Sequence, residues 1–225
     1  MIQLQDDPPI FLLDNSEDFP DPAWPGMDEL VAVGGDFSPT RIIEAYRMGI
    51  FPWFMEKGVI YWFSPDPRMV LFPERVKISK SLAKTLRKET FEIRFDTAFS
   101  QVMEGCASVR RRDQEGTWIE APFIEGYTRL FEMGVATSVE AWRDGRLVGG
   151  LYGLKMGNVF FGESMFALET DASKVALVTL SRQLQAQGYA FIDCQVPSFH
   201  LRSMGGEEID RDKYLKLLNR ALDNK

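Results

Sequence analysis

Three polar side chains interrupt apolar segments in the C-terminal part of the chain, and they are the first candidates for chemistry. Glu163 lies inside the aromatic run Val159–Phe166, and Asp193 and Gln195 lie in the apolar segment Tyr189–Val196. A buried carboxylate without partners is very costly, so each acid must be paired or must line a cleft. Acids in such settings cluster at functional sites, which favours a site built from two carboxylates and an amide. The alternative is that Asp193 and Gln195 only close a loop at a strand end.

The residues around these side chains predict a strand, a helix and a second strand. Val159–Phe166 has the composition of a buried strand. Asp171 offers an N-cap carboxylate for the helix, and Gly188 can take the left-handed conformation that ends it. Two strands connected in this way pair in parallel through a right-handed crossover. Residues two apart on a strand share a face, so Asp193 and Gln195 should point into the same space. The apolar face of the helix carries Leu177, Leu180 and Leu184.

The first 66 residues predict a smaller unit. Residues 1–25 carry five prolines, which disfavour helix and predict an extended arm. Ser38 and Pro39 begin a helix that ends before Gly49. Two aromatic runs flanking Glu56–Gly58 then predict a β-hairpin.

The polar, proline-rich turn Ser64–Pro67 marks the predicted domain boundary. We expect a small N-terminal domain at residues 1–66 and a larger catalytic domain at residues 67–225. Between the helices and hairpins of the larger domain, Arg110–Arg112 and His200 are expected in loops.

Positive charge is concentrated in one short window of an acidic chain. Residues 75–88 contain six cations and no acid, so the net charge of −7, less these six positive charges, leaves −13 for the rest. A helix at Ile78–Glu89 would carry four cations on one face, and unrelieved like charges destabilise a helix unless an anionic partner binds. A simple solvated face is the alternative, but the asymmetry favours a polyanion such as RNA. The four cations are Lys80, Lys84, Arg87 and Lys88.

Composition narrows the class of protein further. No apolar run reaches the ~18–20 residues of a membrane span, and the N-terminal residues show no basic region followed by an apolar core, so we expect a cytoplasmic protein without a signal peptide or a membrane partner. Cys106 and Cys194 form no CxxC motif. His200 is the only histidine, which argues against a metal site or a histidine-based triad.

The order of elements in the larger domain resembles that of the acyl-CoA N-acyltransferases of the acetyltransferase kind. It predicts an α+β fold with a mixed sheet. Such enzymes hold the coenzyme A pyrophosphate on a glycine-rich loop at a helix N-terminus. The corresponding segment here, Ala167–Lys174, has no glycine and carries Glu169 and Asp171. A phosphate would meet negative charge there, so coenzyme A is disfavoured as the acyl carrier.

Seven motifs together resemble the bacterial leucyl/phenylalanyl-tRNA–protein transferases. From about Gly34 onward the chain contains, in one order, GDFSPTRIIEAYRMGIFPWF, WFSPDPR, EGTWI, GGLYG, FFGESMF, ASK and FIDCQV. The resemblance implies transfer of Leu or Phe from its tRNA to an N-terminal Arg or Lys of an acceptor protein, in the N-end rule of protein degradation. It also implies no metal or organic cofactor. We expect a monomer.

The resemblance also implies functional roles for individual residues. It makes Asp193 and Gln195 a catalytic pair and Glu163 an active-site carboxylate, and it makes the four cations named above a tRNA-binding cluster. Our hypothesis is that Asp193 orients and polarises Gln195, whose carbonyl accepts a hydrogen bond from the attacking amine. Glu163 would hold a cationic group, either the acceptor side chain or an α-ammonium. The residues assigned to the aminoacyl pocket are Trp53, Trp118, Tyr127, Met165 and Ile192.

Three more residues are predicted to line that pocket. Leu151 stands where relatives have Met, and Leu177 and Leu180 would form the floor, although plain core packing explains these two leucines equally well. Phe63 and Ser198 also depart from the family, at positions where Trp and Asn are common. Because of these three differences from the family, the sequence does not fix which donor amino acid is preferred. A linear Met side chain should fit such a pocket, whereas β-branched Ile or Val should fit worse.

Two other functions are also compatible with the sequence. An acyl-CoA-dependent N-acetyltransferase would bind acetyl-CoA saturably. A non-catalytic RNA-binding module would bind RNA in a salt-sensitive way without any transfer, and the three polar residues would then be structural.

Overall fold

Two β-sheets divide the strands of the protein between an N-terminal and a C-terminal part. The computed structural model describes residues 10–14, 18–113 and 121–223 of the 225-residue chain. The first sheet has the order β1-β2-β4-β3, in which β1 and β2 are parallel and the other pairs antiparallel. Its elements are β1 (Phe11–Leu13), β2 (Leu30–Gly34), α1 (Pro39–Arg47), β3 (Phe51–Glu56) and β4 (Val59–Phe63).

The second sheet is mixed and has seven strands in the order β11-β5-β10-β9-β8-β7-β6. The described strand pairs are antiparallel, except that β9 and β10 pair in parallel. A helix connects these two strands along the chain, as predicted. The elements are β5 (Arg68–Leu71), α2 (Lys80–Arg87), β6 (Glu92–Phe95), α3 (Phe99–Asp113), α4 (Ala121–Glu132), β7 (Ala136–Arg143), β8 (Arg146–Met156), β9 (Val159–Ala167), α5 (Ala172–Ala186), β10 (Phe191–Gln195), α6 (Phe199–Ser203), β11 (Glu207–Ile209) and α7 (Arg211–Asp223).

Two apolar cores lie on opposite faces of the second sheet. One combines side chains from the first sheet and from α1, α3, α4 and α7. The other is formed mainly by α5, with α2 adding Leu82. The first core is therefore continuous between the N-terminal and C-terminal parts. The predicted α+β class, with its mixed sheet and N-terminal unit, is confirmed. The strands change sheet between Phe63 and Arg68, and the exact domain boundary stays a proposal.

Local signals account for the ends of α1. The Ser38 side chain accepts a hydrogen bond from the Arg41 backbone, and Pro39 occupies the first turn. Gly49 follows the helix with φ of 75°, a conformation that glycine adopts without a Cβ clash. The predicted helix and the hairpin that follows it are confirmed.

The start of α5 differs from the prediction. Asp171 is at the N-cap position, but its φ is 69° and its side chain makes no capping bond. The carboxylate instead accepts a hydrogen bond from the Thr85 hydroxyl at 3.2 Å and lies 3.4 Å from the Lys174 ammonium. Asp171 therefore ties α5 to α2. At the other end of the helix, Gly188 takes the predicted left-handed conformation, with φ of 77°.

Two loop predictions were wrong. Arg110–Arg112 lies within α3, because arginine is a good helix former and a run of charges does not end a helix. His200 lies in the short helix α6, which begins where the Ser198 hydroxyl accepts a hydrogen bond from the Leu201 backbone at 3.1 Å. Within the described ranges, no helix has the length and hydropathy needed to cross a bilayer.

Candidate active site

The candidate site lies where β9 and β10 stop pairing. The register of the two strands covers Val159–Phe161 and Phe191–Asp193. Just beyond, the pairing of β9 with β8 skips Glu163, and the pairing of β10 with β5 shifts between Asp193 and Gln195. Such bulges re-aim side chains and end regular pairing. They bring Glu163 and Gln195 to the two sides of one gap.

Glu163 is held from three directions. The hydroxyls of Tyr46 and Tyr127 donate to its two carboxylate oxygens at 2.5 and 3.0 Å, and the Gln195 amide nitrogen donates at 3.0 Å. Burial raises the pKa of both tyrosines well above the usual value, and the negative charge of Glu163 raises it further. Both hydroxyls therefore stay protonated donors, and the carboxylate is fixed in one position.

Gln195 has an unusual backbone and a defined amide orientation. Its φ of 62° is left-handed, a conformation that costs a non-glycine residue ~1–2 kcal/mol. Its backbone N–H donates to the Asp193 carboxylate at 2.9 Å, which stabilises this turn of the chain. Because the amide nitrogen faces Glu163, the carbonyl oxygen is left to accept. Among the described residues, none donates a hydrogen bond to that oxygen.

Asp193 is fully buried and belongs to a second network. Arg68 binds its two oxygens through Nε at 2.9 Å and Nη2 at 2.7 Å, and the Tyr214 hydroxyl donates at 2.8 Å. Burial opposes the charge of Arg68, but the Asp193 carboxylate outweighs it and holds the pKa of the guanidinium above its usual value. Asp193 therefore orients Gln195 through the backbone. The expected polarisation of the Gln195 side chain comes instead from Glu163.

Arg68 links this network to the N-terminal part. Its Nη1 donates to the Gly49 carbonyl at 3.2 Å, and its guanidinium lies 5.0 Å from the ring centre of Phe51 and 4.5 Å from that of Tyr214. The residue that supports Asp193 thus also supports the start of β3.

Two cavities adjoin at Glu163. An apolar cavity of about 130 Å³ lies between β8, β9, β10 and α5, and a more polar cavity of about 200 Å³ lies beside β3 and the end of β10. Tyr152, Glu163 and Cys194 line both. The predicted pocket residues found in the apolar cavity are Leu151, Met165, Leu177, Leu180 and Ile192. Besides Gln195 and the three shared residues, the polar cavity is lined by Phe51, Pro52, Trp53, Phe123 and Val196, and of these five Trp53 was a predicted pocket residue.

The other predicted pocket residues are placed differently. Trp53 lines the polar cavity, where its ring packs edge-on against Phe63. Tyr127 is fully buried and lines neither cavity, so it acts on the site through its bond to Glu163. Trp118 lies outside the described residues. Among those residues, no group of three His, Cys, Asp or Glu side chains is arranged to hold a metal ion.

The basic helix face is exposed as predicted. Lys80, Lys84, Arg87 and Lys88 are all exposed, while Leu82 on the opposite face is 1% exposed. Ile78, the first residue of the predicted helix, precedes α2 and is 38% exposed.

A groove of about 580 Å³ runs between α2 and the start of α5. Lys84, Lys88 and Arg143 line it together with Glu169 and Asp171. Arg143 binds Glu169 at 2.7 Å. Within the described part of the chain, no carboxylate lies within 4.0 Å of the Lys84 or Lys88 ammonium, so these two charges are available to an anion.

Sequence reasoning missed the residues that hold the site in place. Tyr46 lies on α1, and Arg68 ends the WFSPDPR motif without a local sign of its partner. The need of a buried tyrosine hydroxyl for a hydrogen-bond partner was the available signal for Tyr46. The same signal was available for Tyr214 on α7, which is fully buried and donates to Asp193.

Comparisons with known proteins give consistent results along the chain. A family model described as leucyl/phenylalanyl-tRNA protein transferase matches residues 70–219, and the model of the N-terminal domain of that family matches residues 35–66. Many relatives match, and the three described next carry the name leucyl/phenylalanyl-tRNA–protein transferase. The relative from Nitrosomonas europaea is 58% identical over 84% of this chain and 80% of its own length. The relative from Syntrophobacter fumaroxidans is 52% identical over 93% and 90%, and that from Myxococcus xanthus 49% over 95% and 92%.

Solved structures show a more distant likeness. An aminoglycoside acetyltransferase from an uncultured soil metagenomic sample aligns with a TM-score of 0.39 and 11% identity, over 60% of this chain and 88% of its own. The structure of L-PGS from Bacillus licheniformis aligns with a TM-score of 0.39 and 11% identity, over 75% and 54%.

Proposed function

The chain belongs to the leucyl/phenylalanyl-tRNA–protein transferase family, and we propose that it moves Leu or Phe, and also Met, from aminoacyl-tRNA to the N-terminal Arg or Lys of acceptor proteins. The product carries a destabilising N-terminus in the N-end rule of protein degradation. The enzyme acts as a cytoplasmic monomer. The observation that carries the proposal is the meeting of an apolar and a polar cavity at Glu163 and Gln195.

The apolar cavity takes the donor side chain. Its walls are aliphatic and aromatic, with Leu177 and Leu180 of α5 facing Ile192 of β10. Burial of apolar surface supplies affinity for Leu, Phe and Met alike, and no charged side chain other than Glu163 lies among its described lining residues. A charged donor side chain would be desolvated there without a dedicated partner.

The polar cavity takes the acceptor. Glu163 presents carboxylate oxygens to it, and the aromatic ring of Trp53 lines the same space. A carboxylate and aromatic faces both attract cations. This combination suits an acceptor that carries an α-ammonium and a basic side chain, and Glu163 binds one of these two groups.

The reaction is aminolysis of an activated ester. The acceptor α-amine has a reference pKa near 8, so a usable fraction is neutral at physiological pH. Its nitrogen attacks the ester carbonyl carbon, a C–N bond forms, and the ester C–O bond breaks to release the ribose hydroxyl of the tRNA. The Gln195 carbonyl accepts a hydrogen bond from the attacking N–H and aligns the lone pair. Alignment of this kind can contribute on the order of 7–11 kcal/mol.

Asp193 and Glu163 support Gln195 in different ways. Asp193 fixes the left-handed turn through the backbone N–H, and Glu163 fixes the amide through its nitrogen. A carboxamide is a poor base, so Gln195 positions the amine rather than taking its proton. The released proton passes to the leaving ribose oxygen or to water.

The exposed cations of α2 bind the tRNA backbone. Lys84 and Lys88 border the groove that leads to the start of α5. Phosphate neutralisation by such residues supplies sequence-independent affinity that falls with salt. In this arrangement α2 docks the RNA, and the aminoacyl end reaches the gap between β9 and β10.

One experiment separates this function from both rivals. The protein is incubated with labelled Leu-tRNA and a peptide with N-terminal Arg, and in parallel with a peptide identical except for N-terminal Glu. We expect label in the Arg peptide only. Labelling from acetyl-CoA instead would support an acetyltransferase, and salt-sensitive tRNA binding without any transfer would support an RNA-binding module.

A further inference from the structure

Four glycines lie in the central strands β8 and β9, and three of them are required by packing. A Cβ added to Gly149 would lie 2.6 Å from the Ala172 Cβ, and one added to Gly150 would lie 2.7 Å from the Val139 carbonyl oxygen. At Gly153 the Phe161 carbonyl oxygen would be only 2.1 Å away. Real Cβ atoms do not approach so closely, so a larger residue at any of these three positions would force neighbouring atoms to shift.

Gly162 differs from the other three. A Cβ there would meet the Asp193 carbonyl oxygen at 3.5 Å and the Ile192 Cγ2 at 3.8 Å, which are ordinary contact distances. Its φ lies outside the left-handed region that favours glycine. A glycine inside a strand weakens it and often marks a bulge or the close approach of another backbone or of a ligand. The bulge at Glu163 does not require a glycine at position 162, because the backbone there is not left-handed. No backbone blocks the Cβ either, so the approach of a ligand is the explanation that we adopt.

The surroundings of Gly162 indicate which ligand approaches. It follows Phe161, the last β9 residue that pairs with β10, and it precedes Glu163. It lines the apolar cavity, and Ile192, the side chain nearest to the added Cβ, lines that cavity too. The missing side chain therefore leaves space at the point where the apolar cavity opens between the separating strands.

We propose that Gly162 is a specificity-determining residue that sets how large a donor side chain can enter the apolar cavity. The inference rests on the proposed function, because it takes the aminoacyl group as the occupant. The donor side chain passes over the Cα of Gly162 on its way from the ester, at Gln195, to the floor formed by α5. A methyl group at this position narrows the passage without moving the backbone.

The two donors should respond differently to that change. The ring of Phe is wider than the isobutyl group of Leu, and close-packed sites do not absorb one more methyl group without cost. In Gly162→Ala we expect the ratio of kcat/KM for Phe-tRNA to that for Leu-tRNA to fall about tenfold, which corresponds to ~1.4 kcal/mol. Gly162→Val should lower it further.

The test measures transfer from Phe-tRNA and Leu-tRNA to one acceptor peptide, with the unfolding midpoint of each variant recorded alongside. Gly150→Ala is the matched control, because its Cβ is blocked by the Val139 carbonyl oxygen rather than open to a cavity. We expect the control to lower the unfolding midpoint and to keep the wild-type ratio of Phe to Leu transfer.

Each outcome is decisive. A wild-type ratio in folded Gly162→Ala would overturn the inference. Failure of Gly162→Ala to fold would overturn it too, because the added Cβ would make only contacts of ordinary length. Absence of transfer from either tRNA by the wild-type protein would instead contradict the proposed function, so the two failures are distinguishable.

Discussion

Arg68 offers the most quantitative test of how the site is held in place. Both Arg68 and Asp193 have side chains with 0% exposure, and their contact is bidentate. Removing one partner of a buried ion pair leaves an uncompensated charge and typically costs ~3–5 kcal/mol. Arg68→Met keeps the length of the side chain and removes the guanidinium. For a domain of this size each kcal/mol lowers Tm by ~2–4 °C, so a loss of roughly 6–20 °C is expected.

Arg68 and Asp193 should also be strongly coupled in the free energy of unfolding. Asp193→Asn in the Arg68→Met background removes the stranded charge, so the double variant should be more stable than the sum of the single losses by at least ~1 kcal/mol. Urea unfolding followed by circular dichroism gives the free energy of unfolding of the wild type, of both single variants and of the double variant. Arg129→Met is the control, because Arg129 and Glu125 are more than half exposed and should contribute less than ~1 kcal/mol. Additive losses, or a loss below ~1 kcal/mol for Arg68→Met, would refute the reasoning.

Three further predictions concern RNA binding, pH and donor choice. Lys84→Ala with Lys88→Ala should weaken tRNA binding and reduce its salt dependence, as measured by filter binding at several salt concentrations, whereas Arg220→Ala on α7 should not. Burial, with the charge of Lys174 adding to it, lowers the pKa of His200. The unfolded chain therefore binds a proton that the folded protein does not, so the free energy of unfolding should fall as pH drops below about 6.5. His200→Gln should flatten that slope in urea titrations between pH 5.5 and 7.5, and an unchanged slope would contradict the assignment. In competition between charged tRNAs, Met-tRNA should be used and Ile-tRNA and Val-tRNA should be poor donors, because branching at Cβ crowds the cavity next to the ester; efficient use of Val-tRNA would contradict this.

Local signals made the framework of the site predictable from the sequence. The change of apolar spacing between β9 and α5 and the glycine at position 188 located the strand, helix and strand that carry Glu163, Asp193 and Gln195. Ser38 and Pro39 located α1 in the same way. These features depend on residues a few positions apart, which is the range over which periodicity and capping act.

The supports of the site were not predictable in this way. Arg68 and Asp193 are 125 positions apart, and Tyr46 reaches Glu163 across 117 positions. Such contacts arise only when the sheet order is fixed. Strand alternation predicted that Asp193 and Gln195 share one space, which was wrong. The bulge between them and the left-handed backbone at Gln195 leave Asp193 bound to Arg68 and turn the Gln195 side chain to the polar cavity. Because of that bulge, Asp193 binds the backbone N–H of Gln195 while Glu163 binds its side-chain amide.

The most direct test of the account is the single-turnover transfer rate of Gln195→Ala, measured with pre-bound Leu-tRNA and saturating N-terminal Arg peptide. Gln185→Ala, an exposed glutamine on α5, is the matched control. The account predicts a transfer rate at least about a hundredfold lower for Gln195→Ala, with tRNA affinity within about twofold of wild type, because Gln195 aligns the amine and does not hold the RNA. Equal losses of transfer and tRNA affinity, or a wild-type transfer rate, would contradict it.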